Sequence, residues 1–306
     1  MTAVPCVDWR LAAATGRLLV PAGPEVSRAE AAAMVADLRA CADRATQAVA
    51  AASGLNVPAA AEVVVVDRDR WVGAAASMSE AMLVAVGQRP ATTLGERVGA
   101  RLAGAQLGAA LAFVATRILG QFDPYSPVRR LLLVAPNIAA AERTMAVEPH
   151  GFRQWVCLHE QTHRFQFGAA PWLPGHLLAL MGGVFDDARR AAAIDEVTAV
   201  MSLLEGHADV IMDAAGEGLV PQVARLRAAI EARRDASGFI QLISRLLGLR
   251  AKREQYRHGA IFCRAVIARA GVAGLNLAFR SPELLPGPAE LHRPEDWLRR
   301  VPERVG

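Results

Sequence analysis

At 306 residues, 53% hydrophobic and 21% charged, the chain is long enough to bury a substantial core as one large domain or two small ones, and its composition excludes a disordered chain, a peptide hormone or a short adaptor. The net charge is +4, yet Lys252 is the only lysine and the arginines are dispersed without an aromatic-and-basic module, so nucleic acid is not an expected partner. Four cysteines, Cys6, Cys41, Cys157 and Cys263, lie far apart with no CxxC pair, which implies neither a cysteine-based zinc site nor a dense disulfide framework and fits a reducing compartment.

The first residues carry an early aspartate and no charged start followed by a continuous apolar run, so no signal peptide is expected and a cytoplasmic location is. From Ser27 to Ser53, apolar residues recur at helical spacing, with Ser27 as N-cap and Glu30 as its capping-box partner. The valine-rich stretch 61–72 reads as a strand or a buried connection. Residues 97–123 read as one helix whose Ala100, Gly104 and Gly108 share a face that lets another helix approach closely. Its uncharged part, between Arg101 and Arg117, is fifteen residues, short of the roughly 20 that cross a bilayer, so a core helix is expected and no membrane partner. "DPYSP" at 123–127 breaks the chain, and 128–138 is an apolar run of strand length bounded by Pro136. A transition near 124–150 divides a helical N-terminal region, 1–145, from a second region, 146–306, which holds the candidate metal-binding and catalytic residues taken up next. Helices are then expected over 186–215, 221–247 and 251–270, with the proline-rich end wrapping the surface.

The stretch "CLHEQTHRFQF", 157–167, carries the candidate chemistry. On a helix His159 and His163 stand one turn apart on one face and can present both imidazoles to one ion. Glu160 lies about 100° round from His159, placed to reach a water on that ion without ligating it. Trp155, Val156, Leu158, Phe165 and Phe167 supply apolar contacts, and Gly168 with the prolines of "GAAPWLPG" stops the helix.

Catalytic zinc usually has three protein ligands and a water, which directs attention to "LLEGHADVIMD", 203–213. Glu205 and Asp209 share a face at the edge of an apolar stripe, where a buried glutamate needs a partner such as a metal. Asp209 is placed to accept a hydrogen bond from the outer nitrogen of a ligating histidine. His207 competes for the ligand role, but two helical residues amount to about 200°, so Glu205 and His207 cannot both serve, and Glu205 is the better placed.

"HEQTH" followed by "EGHAD" resembles the glutamate-liganded branch of the zincin metallopeptidases. With "RLAGAQLGAALAFVATRILGQFDP", "LLLVAPNI" and "REQYRHGAIF" the resemblance extends over about residues 8–300, to a bacterial family of zinc-dependent metallopeptidase-like hydrolases. Members of that family are associated with biosynthesis of the deazaflavin coenzyme of actinobacteria and their relatives. The resemblance implies a zincin-like, mainly helical α+β fold, with His159, Glu160 and His163 on the active-site helix and Glu205 as third zinc ligand. Tyr256 and His258, in "QYRHG", are the candidates for stabilising an oxyanion. The expected chemistry is zinc-assisted hydrolysis of a peptide or small amide, with Glu160 as general base. The rival expectations are a non-catalytic zincin-fold binding or scaffold protein, and a small-amide hydrolase acting in coenzyme assembly.

Overall fold

The computed structural model describes residues 4–58, 61–126, 128–216, 218–220, 226 and 254–305. The helix expected over 221–247 lies outside the described residues except for Leu226, which is helical. Among the described residues the architecture is mainly helical with one small sheet, the α+β class expected.

Helices α1 (Trp9–Leu19) and α2 (Arg28–Ser53) open the chain. The capping box forms as the sequence predicts: Glu30 N–H donates to Ser27 Oγ at 3.2 Å and Ser27 N–H to Glu30 Oε2 at 2.7 Å. Gly54, at φ 64°, closes α2 in the left-handed conformation that glycine adopts without steric cost. The stretch 61–72 is both a strand and a helix start. β1 (Glu62–Val66) runs into α3 (Arg68–Ala85), whose first turn is capped by Asp67, its Oδ1 accepting from Arg70 N–H at 2.7 Å.

The single helix expected over 97–123 is instead α4 (Leu94–Ala115) followed by β2 (Gly120–Asp123). The reason lies 20 residues on: the buried Asn137 amide donates to Ala115 O at 2.7 Å and Ile118 O at 2.6 Å, taking carbonyls that a longer helix would have used internally. The small-residue face acts as expected. A Cβ on Gly104 would lie 2.4 Å from Asp8 O, and one on Gly108 2.4 Å from Ala12 O, so α1 packs directly on glycine backbone. By length and composition α4 and the His258–Phe279 stretch pass for membrane-crossing segments, but each packs against a neighbouring helix.

β3 (Arg130–Val134) is the middle strand, parallel to β1 and antiparallel to β2. Its leucine run is continuous because both sheet faces are covered. Leu131 and Leu133 join the main core with Leu38, Val156 and Phe165, whereas Leu132 and Val134 join a second core with Trp71, Val72 and Leu111. Pro136 opens α5 (Ala135–Met145) rather than bounding the strand, since the first helical turn has no use for its missing N–H.

α6 (Pro149–Ala169) lies on the main-core face of the sheet, and α7 (Leu173–Val184) leads into α8 (Arg190–Gly216), which crosses α6. α9 (Glu254–Asn276), kinked at Gly271, packs on α8, and α10 (Pro294–Val305) follows a proline-rich segment that, rather than only wrapping the surface, sends Leu284 and Leu291 into the main core beside Trp297. The α8–α9 crossing is as close as backbones allow: a Cβ on Gly206 would lie 2.2 Å from the Gly259 carbonyl carbon, and one on Gly259 1.9 Å from Ser202 O.

Candidate metal centre

α6 starts at Glu148, whose carboxylate accepts from His150 and Gly151 N–H groups at 2.8 and 2.6 Å, with Pro149 in the first turn. From there steps of three and four residues put Phe152, Trp155, His159, His163 and Gln166 on one face. Trp155 stacks on His159 with centroids 5.9 Å apart, and Phe152 stacks on Trp155 at 6.4 Å, so the first histidine is held by an aromatic row.

α8 brings Glu205 to that face. Its Oε2 lies 3.8 Å from His159 Nε2 and its Oε1 3.6 Å from His163 Nε2, while the two Nε2 atoms are 3.1 Å apart. The three donor atoms lie within 4.8 Å of one another. Two imidazole nitrogens and one carboxylate oxygen form a donor set that suits zinc with a position left open. The separations of 3.1 to 3.8 Å are those of side chains converging on one small ion. The residues therefore fit the metal that the sequence suggests.

His207, weighed against Glu205 in the sequence, sits behind this trio. Burial pushes its pKa down to about 3, Asn276 acting in the opposite sense, so the ring is neutral. Its Nδ1 is 3.1 Å from Gln166 Nε2. Its Nε2 and Asn276 Oδ1 are both buried without a well-formed partner; although Asn276 is near enough to act on the ring, the geometry is that of an unformed bond.

Gln166 is not marked by the HExxH pattern, glutamine being no usual zinc ligand. It is fully buried, its Oε1 lies 2.9 Å from His163 Nδ1, and its Nε2 donates to Leu204 O at 2.7 Å. The one available signal was its spacing of three residues after His163. His159 Nδ1 lies 3.3 Å from Met212 Sδ. Asp209, half-buried one turn beyond Glu205, is close enough to Cys263 for its charge to add to the burial that raises that thiol's pKa.

Glu160 points to the sheet side of α6. It is 6% exposed and lies against β2, where a Cβ on Gly120 would come within 2.6 Å of its Cγ and 2.8 Å of its Oε1. Burial first, and the charge of Glu205 second, hold its carboxyl well above the usual carboxylate range. A cation beside it would act in the opposite direction. His258 stands edge-on to His292, centroids 4.1 Å apart, at the start of the described side chains of α9. The side chain of Tyr256 lies outside the described residues.

A second trio, Asp37, Cys41 and His150, is equally compact, but its atoms are already engaged. Asp37 takes His150 Nδ1 at 2.9 Å and Arg153 at 3.1 Å, and Arg44 lies 3.3 Å from both Cys41 Sγ and His150 Nε2. Burial raises the Cys41 thiol to about 11. Two guanidinium groups beside a protonated thiol disfavour a cation, and the cluster reads as a polar lock between α2 and α6.

The family model for zincin-like metallopeptidases matches residues 7–189 and 184–298. A solved structure of a candidate hydrolase with a novel fold, from Chloroflexus aurantiacus, superposes with a TM-score of 0.80 at 28% identity, covering 96% of this chain and 98% of that one. Among curated proteins none matches.

Proposed function

Because the chain belongs to the zincin-like metallopeptidase family, we propose that it is a zinc-dependent hydrolase of peptide or small amide bonds, with His159, His163 and Glu205 as metal ligands and Glu160 as general base. The observation that carries this reading is the convergence of three donor atoms from two helices within 4.8 Å, with a buried carboxyl on the next residue of the same helix. A zinc ion held there supplies Lewis-acid polarisation of the scissile carbonyl and acidifies water. Glu160 takes up the proton of the attacking water and delivers it to the leaving amine, and its apolar surroundings favour the proton-holding form between those two events. Asp209 is assigned to hydrogen-bonding support of a ligating histidine, and Tyr256 or His258, on α9 beyond the Gly206–Gly259 crossing, to the developing oxyanion.

The test pairs metal content with turnover. Wild type is expected to carry one zinc and Glu205→Ala to lose it. Asp209→Asn is expected to fold yet bind zinc about 10 to 100 fold more weakly. Glu160→Gln is expected to keep zinc while cleaving a peptide library, or a panel of small amides, about 100-fold or more slowly. Full zinc occupancy in Glu205→Ala with loss in His207→Ala would overturn the ligand set. Wild-type inertness across both substrate panels would overturn the enzyme reading in favour of a binding protein on the same fold.

A further inference from the structure

Resting on the metal-site reading above, we propose that Gln166 is the positioning residue that selects which nitrogen of His163 faces the metal, its own direction being dictated by the backbone of the helix that carries the third ligand.

The polarity follows from the one group in the network that has no choice. Leu204 O can only accept, so the Gln166 atom 2.7 Å from it is the amide nitrogen. The other end of the amide is then the oxygen, 2.9 Å from His163 Nδ1, and since that oxygen only accepts, Nδ1 carries the hydrogen. A neutral imidazole has a single N–H, so the lone pair of His163 is on Nε2, the atom 3.1 Å from His159 Nε2 and 3.6 Å from Glu205. An isolated histidine in water favours the opposite tautomer, with its hydrogen on Nε2, and would present a donor to the ion.

The far end of the network agrees. The second amide hydrogen of Gln166 faces His207 Nδ1 at 3.1 Å, which must accept and leaves that ring's hydrogen on Nε2. Asn276 commits its own amide to Ser53 O at 2.8 Å, turning its oxygen free as the acceptor. Gln166, fully buried, is therefore held by Leu204 O, His163 Nδ1 and His207 Nδ1 together. Leu204 immediately precedes Glu205, so one turn of α8 supplies the carboxylate and, through Gln166, orients the imidazole on α6. A carboxylate at 166 would keep the acceptor for His163 but face Leu204 O without a hydrogen to give.

The experiment uses the full chain, with Gln166→Leu and Gln166→Glu beside wild type. Zinc affinity is read by competition with a chelating dye, and the His163 tautomer from the metal-free protein labelled with 15N-histidine. Gln166→Leu is expected to bind zinc about 10 to 100 fold more weakly and to lose the Nδ1–H form. Gln166→Glu is expected to melt at a lower temperature yet retain the Nδ1–H form and zinc affinity within a few fold of wild type. Equal loss of affinity in both variants, or an unchanged His163 signal in Gln166→Leu, would reduce Gln166 to a packing residue and overturn the proposal. If Gln166→Leu does not fold, the His163 signal in Gln166→Glu decides: Nδ1–H supports the proposal and Nε2–H overturns it. Wild type that binds no zinc would sink the metal reading while leaving the tautomer measurement intact, so the two failures are distinguishable.

Discussion

The position of Glu160 turns on a hydrogen atom belonging to Gly120. With the end of the Glu160 side chain occupying the space where a Cβ would stand, 2.6 to 2.8 Å from its Cγ, Cδ and Oε1, any side chain at 120 must push the carboxyl along the sheet or lift α6 from β2. Gly120→Ala is therefore expected to keep its zinc and most of its stability while losing hydrolysis about 100-fold, the scale of a misplaced general base. Metal analysis and initial rates check this, and a wild-type rate in Gly120→Ala would mean that the carboxyl has slack and that its proton transfer does not depend on β2. The contrast with His159 and His163 explains what could be read in advance. Their juxtaposition is fixed by the helical period and needs nothing beyond four residues of local sequence. Gly120 and Gln166 acquire their roles from approaches 40 and 38 residues away in the chain, Gly120 to Glu160 and Gln166 to Leu204, and no local spacing encodes those.

Among the elements, the crossing of α8 over α9 is where a single methyl group does most harm. Gly206 and Gly259 meet backbone to backbone, with virtual Cβ distances of 2.2 and 1.9 Å, so an alanine at either place must separate the helices directly beside Glu205. Gly259→Ala is expected to lower stability by about 1–3 kcal/mol, the usual cost of overpacking, and to weaken zinc binding along with it. Gly99, on the open face of α4 with nothing within 4 Å, is the control: the same substitution there is expected to stabilise by up to about 1 kcal/mol, because it only removes backbone entropy from the unfolded chain. Denaturant midpoints compare the two, and equal effects of the same sign would dismiss the close crossing as a determinant. α2 was legible because its capping box and αL glycine lie within the helix and its flanks. The end of α4 was not, since Asn137, which takes its last carbonyls, sits beyond two strands. The strand–helix pairs β1–α3 and β3–α5 were blurred for a related reason, that each apolar run continues across the boundary and only Asp67 and Pro136 mark it.

For the molecule as a whole, the sheet is thin but holds the two cores together, Leu131 and Leu133 entering one and Leu132 and Val134 the other. The sequence suggested a helical region before residue 146 and a metal-binding region after it, and the main core draws on both, Leu38 and Val49 of α2 packing with Phe152, Val156, Phe165 and Leu203. Glu160 likewise depends on Gly120, and the α6 polar face on Asp37 and Ala42 of α2, through Arg153 Nη1 at 3.1 Å and Gln161 Nε2 at 3.0 Å. A chain beginning at residue 146 keeps every proposed ligand but exposes four large side chains of α6, Phe152, Val156, Leu158 and Phe165, each worth roughly 1.5–3 kcal/mol when buried. That loss is comparable with the whole stability of an ordinary domain, roughly 5–15 kcal/mol. Zinc at 100 times its dissociation constant would restore only about 2.7 kcal/mol. The fragment 146–306 is therefore expected to show no cooperative melting transition with or without zinc, whereas the full chain melts in one step that zinc moves upward. Circular dichroism melts of both proteins test this, and a sharp, zinc-raised transition in the fragment would show that the α6–α8 site stands without the sheet and α2.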